Sequence, residues 1–296
     1  MRGITIKVDV DTLAGTREGV PRLQALFRRL DIPATFLFSL GPDHTGRAIR
    51  RVFRRGFLSK VRRTSVATHY GFPTLLYGTL LPGPDIGARC RSIMLSVAND
   101  GFEVGVHAFD HVKWQDGVAN ASFDWTREQL GLAVERFEQV FGFSPTVHGA
   151  AGWQMNEHVP VLERLFGFDV ASDTRGREPF MPAGGGVVQI PTTLPTLDEL
   201  VGVNGATASD AVSRLIELTG APTPQHHVFT AHAELEGRAY LNEFEELLQA
   251  WRHAGFEFRE LSDAARFTST GKLPICKIAD GELEGRSGRL ALQAGG

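Results

Sequence analysis

The sequence predicts an α/β fold in which parallel strands and helices form a (β/α) barrel. Short apolar runs rich in β-forming residues alternate with longer segments of helical spacing, which is the pattern of βαβ units. Seven or eight candidate strands over about 260 residues suit a barrel better than an open sheet. The glycine motifs of Rossmann and P-loop domains are absent from the sequence.

The predicted elements follow one another in βα order. The first strand, residues 4–11, alternates strictly between apolar and polar side chains, and a helix over 17–30 comes next. Further strands are predicted at 34–38, 102–106, 146–149, 168–172, 187–190, 227–231 and 256–259. Further helices are predicted at 85–98, 124–141 and 241–253. We expect one domain over 1–268 and a peripheral, glycine-rich tail over 269–296.

The composition indicates a globular protein with an acidic body and one basic segment. Hydrophobic residues make up 42% and charged residues 22% of the chain, which excludes a wholly disordered, collagenous or coiled-coil protein. The net charge is −3, yet no acidic residue lies between Asp43 and Asp85. The eight cations there leave 23 cations against 34 acidic residues elsewhere, a charge of −11. These cations are Arg47, Arg50, Arg51, Arg54, Arg55, Lys60, Arg62 and Arg63.

The cysteine content and the apolar runs indicate a cellular location. Cys90 and Cys276 provide neither a disulfide framework nor a metal-binding spacing. No apolar run reaches the length of a membrane-spanning helix, and the first residues lack the pattern of a secretion signal. We therefore expect a reducing, cytoplasmic environment.

Polar side chains cluster where the predicted strands end. Asp9 and Asp11 are two residues apart on one strand, so their side chains share a face. His107 and His111 follow the third strand at a spacing that allows both to bind one metal ion. Each pattern alone is weak, because loop carboxylates and histidines are often merely solvated.

Three further features follow later strands. His232 closes one strand, Asp173 follows another, and the small residues of 149–152 precede Trp153. Each has an ordinary structural explanation, namely a hydrogen-bonded histidine, a turn aspartate and a tight loop around a core tryptophan. Since strand carboxyl ends meet at one mouth of a barrel, we expect these groups to lie together. One Asp and two His suit a catalytic metal, leaving a carboxylate and an imidazole for acid–base chemistry.

The order of these motifs resembles that of the NodB-type polysaccharide deacetylases, carbohydrate esterase family 4. The order is Asp-x-Asp, then His-x-x-x-His, then a late strand that ends in His. The similarity extends over about residues 3–270, through KVDVDTLAGTREGVPRL, FLFSLGPDHTGRA, EVGVHAFDHVKWQD, AAGW, SDTRG, QIPTTLPTLDE and TAHAELEG. The resemblance implies a distorted (β/α)₇ barrel, here with a basic amphipathic insertion after the second strand.

The resemblance also implies roles for individual residues. Asp9 matches the catalytic base and His232 the general acid, while Asp173 would orient that histidine. The metal ligands would be Asp11, His107 and His111, and they would hold one divalent ion, Zn²⁺ by default, with Co²⁺, Mn²⁺ or Ni²⁺ also compatible. The substrate is expected to contact Ala151, Gly152, Trp153 and Arg175.

Two departures from the family pattern concern the orientation of Asp9. The family's aspartates are adjacent, whereas Val10 separates them here. The family's Arg-x-Pro motif, whose Arg holds the base, is missing, and residues 150–153 stand in its place. Lys7 lies on the same strand face as Asp9 and is the candidate to replace that arginine.

Within this family, the quoted segments resemble members that act on a lipid-linked sugar in the aminoarabinose modification of lipid A. This implies hydrolysis of an N-formyl amide on a sugar carried by undecaprenyl phosphate. The alternative is another sugar N-deacetylase of the family, although the chitin and peptidoglycan enzymes normally act outside the cytoplasm. A binding module without catalysis would not need Asp9 and His232 in addition to three metal ligands.

The basic segment over 44–84 indicates a partner surface. Its arginines are interleaved with apolar residues and are followed by an aromatic, weakly charged stretch. Such a composition is typical of an interfacial segment on an anionic leaflet, although a nucleic-acid contact or a solvated helix is also compatible with it. We expect peripheral binding to the inner face of the cytoplasmic membrane and no nucleic-acid partner.

Overall fold

A mostly parallel sheet forms a half-barrel at the centre of the protein. The computed structural model describes residues 2–48, 76–221, 226–268, 272–283, 286 and 288–295. The strands of the half-barrel are β1 (Gly3–Val10), β2 (Thr35–Ser39), β3 (Glu103–Ala108), β4 (Val147–His148), β5 (Val170–Ala171), β7 (Val188–Gln189), β8 (His226–His232) and β9 (Glu257–Arg259). Their order is β7-β5-β4-β3-β2-β1-β8, and β9 also pairs with β1.

A second, smaller sheet lies beside the half-barrel. It consists of β6 (Met181–Pro182), β10 (Ile275–Glu282) and β11 (Arg289–Ala294), with β10 in the middle. The α-helices in the described part of the chain lie between the strands and after them. They are α1 (Val20–Leu30), α2 (Ile86–Asn99), α3 (His111–Gly117), α4 (Phe123–Phe141), α5 (Val159–Leu165), α6 (Leu197–Leu200), α7 (Ala208–Thr219), α8 (Leu241–His253) and α9 (Leu261–Thr268).

Strand β1 lies at the centre of the half-barrel and its two faces have different environments. Ile4, Ile6, Val8 and Val10 are completely buried in the outer core between the sheet and the helices. Large apolar side chains buried to this degree each contribute about 1.5–3 kcal/mol to stability. The alternate residues of β1 project into the barrel interior, because successive side chains of a strand point to opposite faces.

The barrel interior is closed at the amino-terminal end of the strands by α9. Leu261 and Ala264 of this helix join an apolar cluster inside the barrel that includes Leu37, Val147 and Val228. The polar residues at the carboxyl ends of the strands are therefore left at the opposite, open mouth.

The barrel is distorted where β7 and β8 would have to meet. Strands β7 and β8 do not pair directly in the described structure, and the segment that follows β7 contacts β8 instead. The backbone N–H groups of Thr193 and Leu194 donate to Val228 O at 3.1 and 3.2 Å. In return, Val228 N donates to Thr193 Oγ1 at 2.9 Å. The predicted α/β barrel of the NodB type is confirmed.

The C-terminal residues were expected to form a peripheral tail, but the structure shows them in a paired hairpin. Strands β10 and β11 form an antiparallel hairpin, and β10 pairs with β6 through Cys276 and Pro182. The hairpin also contacts the loop after β5, where Arg175 N donates to Ala291 O at 2.9 Å. The basic insertion is described at its two ends alone, because residues 49–75 lie outside the described part of the chain. None of the helices in the described ranges is both long enough and apolar enough to cross a membrane.

Candidate active site

Three potential metal ligands meet at the open mouth of the barrel. Asp11 follows β1, His107 lies near the end of β3, and His111 begins α3. The Nε2 atom of His107 lies 3.2 Å from Asp11 Oδ1, and that of His111 lies 3.4 Å from the same oxygen. Asp110 caps α3 by accepting from Lys113 N at 3.0 Å, so its side chain is directed to the helix.

The chemistry of these three groups calls for a cation between them. His107 Nδ1 donates to Gly149 O at 2.6 Å, which leaves the Nε2 lone pair facing the carboxylate. Asp11 Oδ1 is buried and has no hydrogen-bond partner among the described residues. Burial alone would raise the pKa of Asp11, but His111, His107 and His232 outweigh it and hold this pKa far below its usual range. The donor set therefore fits a divalent ion of the zinc type.

Asp9 lies beside this set and is almost completely buried. Lys7 Nζ is 3.4 Å from Asp9 Oδ1, and its other contacts are Ser172 O at 3.2 Å and the Trp153 ring at 5.3 Å. Lys7 thus occupies the position expected of it from the sequence. Asp9 Oδ1 is buried and accepts no hydrogen bond within the described chain, and Asp9 lines the cavity above the site.

His232 lies beside Asp9, because β8 pairs with β1 in a register that matches these two residues. Its Nδ1 atom lies 3.9 Å from Asp198 Oδ1, and its backbone N–H donates to Glu236 Oε2 at 2.7 Å. Burial alone would lower the pKa of His232, but the carboxylates of Asp198, Asp11, Glu236 and Asp9 outweigh it and raise the pKa to about 9. The imidazole is therefore protonated near neutral pH in the metal-free site.

Glu234 supports the turn that carries Asp11. Its Oε1 atom accepts hydrogen bonds from Asp11 N at 3.1 Å, Thr12 N at 2.8 Å and Thr12 Oγ1 at 2.8 Å. The carboxyl group is completely buried, and burial raises its pKa to about 8. Gly15 is required beside it, since a Cβ at this position would lie 1.9 Å from Glu234 Oε1.

A cavity of about 250 Å³ opens over these groups. Of the four residues expected to contact the substrate, Gly152 lines this cavity, whereas Ala151, Trp153 and Arg175 are buried behind it. Arg175 forms an ion pair with Glu199 at 2.6 Å and donates to Leu194 O at 3.0 Å. The remaining lining includes Thr45, Gln115, Asp198 and Arg286.

The structure corrects the expectation for Asp173. This residue was expected beside His232, but its Oδ1 atom lies 3.1 Å from His148 Nδ1 in a completely buried network. Glu163 Oε1 lies 2.6 Å from the same nitrogen, and Gln189 Nε2 donates to Asp173 Oδ2 at 2.8 Å. The sequence places Asp173 after a strand, but it does not show that β4 brings a second buried histidine to this point.

The network around Asp173 is linked to the metal ligands through the backbone. Asp173 Oδ1 accepts from Ala150 N at 2.7 Å, and the preceding residue, Gly149, presents the carbonyl that binds His107. His148, Glu163 and Asp173 also form a set of potential metal ligands, but the hydrogen bonds among them account for their placement. The network therefore fixes the loop that orients His107.

The comparisons with known proteins follow this geometry. No protein-family model matches the sequence. The probable 4-deoxy-4-formamido-L-arabinose-phosphoundecaprenol deformylase ArnD of Shewanella sediminis is 36% identical over 291 residues, which is 98% of this chain and 94% of the relative. The protein of the same name from Wigglesworthia glossinidia brevipalpis is 34% identical over 284 residues, 94% of this chain and 98% of the relative. The chain belongs to the ArnD deformylase family.

Solved structures place the ArnD family within the polysaccharide deacetylase fold. A polysaccharide deacetylase structure from Mycobacterium smegmatis matches with a TM-score of 0.66 and 18% identity, covering 95% of this chain and 96% of that one. A second from Pseudomonas aeruginosa has a TM-score of 0.61 and 17% identity, with 89% of each chain covered. At these identities the likeness shows the fold. Together with the family membership, it shows an enzyme that hydrolyses amides.

Sequence reasoning missed several residues that surround the site in this ArnD-family chain. Asp198 lies in the segment QIPTTLPTLDE, which was quoted for its resemblance but carried no spacing that would link it to His232. Glu234 and Glu236 follow the strand that ends in His232, and this position at a strand end was an available signal. Arg286 lies in the supposed tail, where no sequence signal pointed to the cavity.

Proposed function

We propose that this protein is a metal-dependent deformylase that hydrolyses the N-formyl amide of 4-deoxy-4-formamido-L-arabinose carried on undecaprenyl phosphate. The products would be formate and the free aminoarabinose lipid, which serves the modification of lipid A and thereby resistance to polymyxin and other cationic antimicrobial peptides. The observation that carries this proposal is the identity of 36% and 34% with two deformylases of that name over nearly the whole chain.

The proposed metal ligands are Asp11, His107 and His111, whose ligand atoms all lie within 4.8 Å of one another. A divalent ion held there would polarise the formyl carbonyl and increase the acidity of the attacking water. Zn²⁺ is the first expectation for two imidazoles and one carboxylate, and Co²⁺, Mn²⁺ or Ni²⁺ would suit the same ligands.

Asp9 and His232 are proposed as the base and the acid. Asp9 accepts a proton from the water as the water oxygen forms a bond to the formyl carbon, and Lys7 holds this carboxylate in place. His232 donates a proton to the sugar nitrogen as the carbon–nitrogen bond breaks, because an amide nitrogen is a poor leaving group without it. Asp9 and His232 are paired in register on the adjacent strands β1 and β8, which supports their acting on the same amide group.

We further propose that the segment 44–84 binds the enzyme to the anionic inner face of the cytoplasmic membrane. Thr45 and Ala48 line the cavity, so the basic segment begins at the rim of the site. The two ends of the segment are held together at that rim, where Arg47 Nε donates to Gly78 O at 2.8 Å. Leu80 and Leu81 are 81% and 46% exposed, which supports an apolar contact beside the arginines.

The test of the proposed function is formate release from a synthetic formamido-arabinose phosphate lipid by the metal-loaded enzyme. The matched acetamido lipid serves as the second substrate. Formate release that requires added metal and greatly exceeds acetate release supports a deformylase. Preferential acetate release would replace the proposal with another sugar N-deacetylase activity.

A further inference from the structure

Two arginines and one glutamate surround the ring of Trp153 behind the cavity. The guanidinium carbons of Arg175 and Arg286 lie 5.0 and 4.3 Å from the centre of this ring. Glu199 pairs with both arginines, at 2.6 Å to Arg175 Nη1 and 3.2 Å to Arg286 Nη1. Stacking on an aromatic ring and an ion pair together fix the plane of the Arg286 guanidinium.

Of the two arginines at Trp153, only Arg286 lines the cavity. Arg175 is buried and donates through Nη1 to Glu199 and through Nη2 to Leu194 O. The imidazole of His232 faces Asp198. Arg286 lines the cavity with a side chain that is 19% exposed, and it shares its carboxylate partner with the buried Arg175. Asp198 is a second carboxylate close to Arg286: burial alone would raise the pKa of Asp198, but His232 and Arg286 outweigh burial and lower it. The two carboxylates face three cations, the two arginines and His232, so the positive charge of Arg286 is only partly compensated.

This cation lies at a cavity that otherwise repels anions. The carboxylates of Asp9, Asp11 and Asp198 all line it. An anionic substrate can enter such a cavity if its charge stays away from the carboxylates and meets a fixed cation at the edge. Trp153 links the two regions, because the edge of its ring faces His232 at 6.5 Å between ring centres while Arg286 stacks on it.

We propose that Arg286 binds the phosphodiester of the substrate, an inference that rests on the proposed function. In a pyranose with an amide at C4 and a phosphate at C1, these groups lie at opposite ends of one ring. With the amide at Asp9 and His232, the phosphate must lie one sugar unit away. Arg286 meets it with a planar fork of donors, which suits two phosphate oxygens at once. The C-terminal hairpin thus contributes a specificity residue to the barrel site.

The competing explanation is that Arg286 only holds Trp153 in place. A structural clamp would affect every substrate equally, whereas a phosphate ligand would affect phosphate-bearing substrates selectively. Two water-soluble substrates separate these explanations, namely a short-chain prenyl phosphodiester of formamido-arabinose and the O-alkyl formamido-arabinoside of similar length without phosphate.

The experiment compares Arg286→Ala and Arg286→Lys with the metal-loaded wild-type enzyme on both substrates. Arg286→Ala should reduce kcat/KM for the phosphodiester by about 10–100-fold more than for the phosphate-free arabinoside, mainly through KM, because a charge-assisted contact is lost. Arg286→Lys should recover part of this loss, since it keeps the charge without the fork. Arg289→Ala is the matched control, because Arg289 lies on the same hairpin and pairs with Asp280 outside the cavity.

Two other outcomes are decisive. An equal loss on both substrates in Arg286→Ala would overturn the phosphate assignment in favour of the clamp. A wild-type enzyme that hydrolyses both substrates with the same KM would overturn it as well, while the proposed function would stand. A wild-type enzyme that releases formate from neither substrate would instead overturn the proposed function, and with it the premise of this inference.

Discussion

Lys7 Nζ lies 3.4 Å from Asp9 Oδ1, and both side chains are buried on the interior face of β1. The family pattern assigns the contact with the catalytic aspartate to an arginine from another loop, which this chain lacks. Two residues of one strand, separated by Val8, replace that arrangement because alternate side chains point the same way. The orientation of Asp9 is therefore built into β1 itself.

The first prediction concerns this pair. Lys7→Met leaves an unpaired buried carboxylate and Asp9→Asn leaves an unpaired buried ammonium, so each should lower the free energy of unfolding by about 3–5 kcal/mol. The double variant removes both charges and should be less destabilised than the sum of the single variants. Urea unfolding of metal-free protein measures all four free energies. Additive effects would show that the two side chains do not interact.

The second prediction separates metal ligands from acid–base residues. Asp11→Asn and His107→Ala should lose the metal on dialysis, because each removes one of three ligands. Asp9→Asn and His232→Ala should retain it yet lose about 10²–10⁴ in turnover, the typical effect of a positioned base or acid. Metal analysis combined with formate release provides both readouts. Loss of metal in Asp9→Asn would mean that the roles of Asp9 and Asp11 are exchanged.

Particular elements show how far the sequence predicted the site. The apolar periodicity predicted β1 at residues 4–11 and α4 at 124–141. The structure has them at Gly3–Val10 and Phe123–Phe141, and the agreement is close because their apolar faces are regular. The expectation that Asp11, His107 and His111 lie together followed from their positions after the ends of predicted strands. The partner of His232 could not be predicted in this way, since Asp198 lies on the short helix α6, whose position depends on tertiary contacts. The position of Arg286 depends on the hairpin of β10 and β11, whose sequence has little regular apolar pattern and was therefore not predicted.

The third prediction concerns the pH dependence of turnover. In the metal-free site the pKa of His232 is raised to about 9 by carboxylates that outweigh its burial, and a divalent ion bound at Asp11 would offset part of this rise. As the proposed acid must be protonated, turnover is present below this pKa and falls as the pH rises through it. Asp198→Asn removes one of those negative charges and should move the alkaline limb to lower pH.

The control for this prediction is Asp263→Asn, which changes an exposed carboxylate that pairs with Arg266 on α9. It should leave the profile unchanged. An alkaline limb that stays in place in Asp198→Asn would show that a group other than His232 sets it. Profiles of kcat/KM measured from about pH 6 to about pH 11 on a neutral formamido sugar cover both sides of a limb at or below the pKa of His232 and resolve these outcomes.

The fourth prediction concerns the buried network of His148, Glu163 and Asp173. Burial and the neighbouring Asp173 carboxylate raise the pKa of Glu163 well above its usual value, which favours its neutral form. Burial alone raises the pKa of Asp173 and lowers that of His148, but their mutual attraction reverses both effects and brings His148 to about 10. Glu163→Gln should therefore be tolerated, whereas Asp173→Asn should cost about 3–5 kcal/mol by leaving a buried imidazolium unpaired.

The sign of the pH effect provides a second readout for this network. A raised pKa of His148 means that its contribution to stability is fully present below pH 6.5 and is lost as the pH rises through about 10. The difference in unfolding free energy between wild type and Asp173→Asn should thus shrink from pH 7 towards pH 10. Equal destabilisation by Glu163→Gln and Asp173→Asn at pH 7 would contradict this assignment of charges.

The fifth prediction concerns the membrane. Each cation near an anionic surface contributes roughly 1 kcal/mol, and this effect falls off within a Debye length. The eight cations of 44–84 should therefore attract the protein to an anionic surface even though the rest of the chain carries −11. Apolar side chains among them add a component that does not depend on counter-ions. Binding to anionic liposomes should weaken with salt without vanishing.

Charge reversal within the segment tests this prediction. Changing Arg50, Arg51, Arg54 and Arg55 to Glu should release the protein from liposomes and slow turnover of the long-chain lipid substrate much more than that of a short-chain analogue. The control reverses four exposed arginines elsewhere, so that the net charge is the same in both variants; these are Arg22, Arg127, Arg164 and Arg252. If only the first variant leaves the liposomes, the position of the charges rather than their sum determines binding. Sedimentation of both variants with liposomes, or an equal loss of turnover on both substrates, would refute the assignment of 44–84 as the membrane contact.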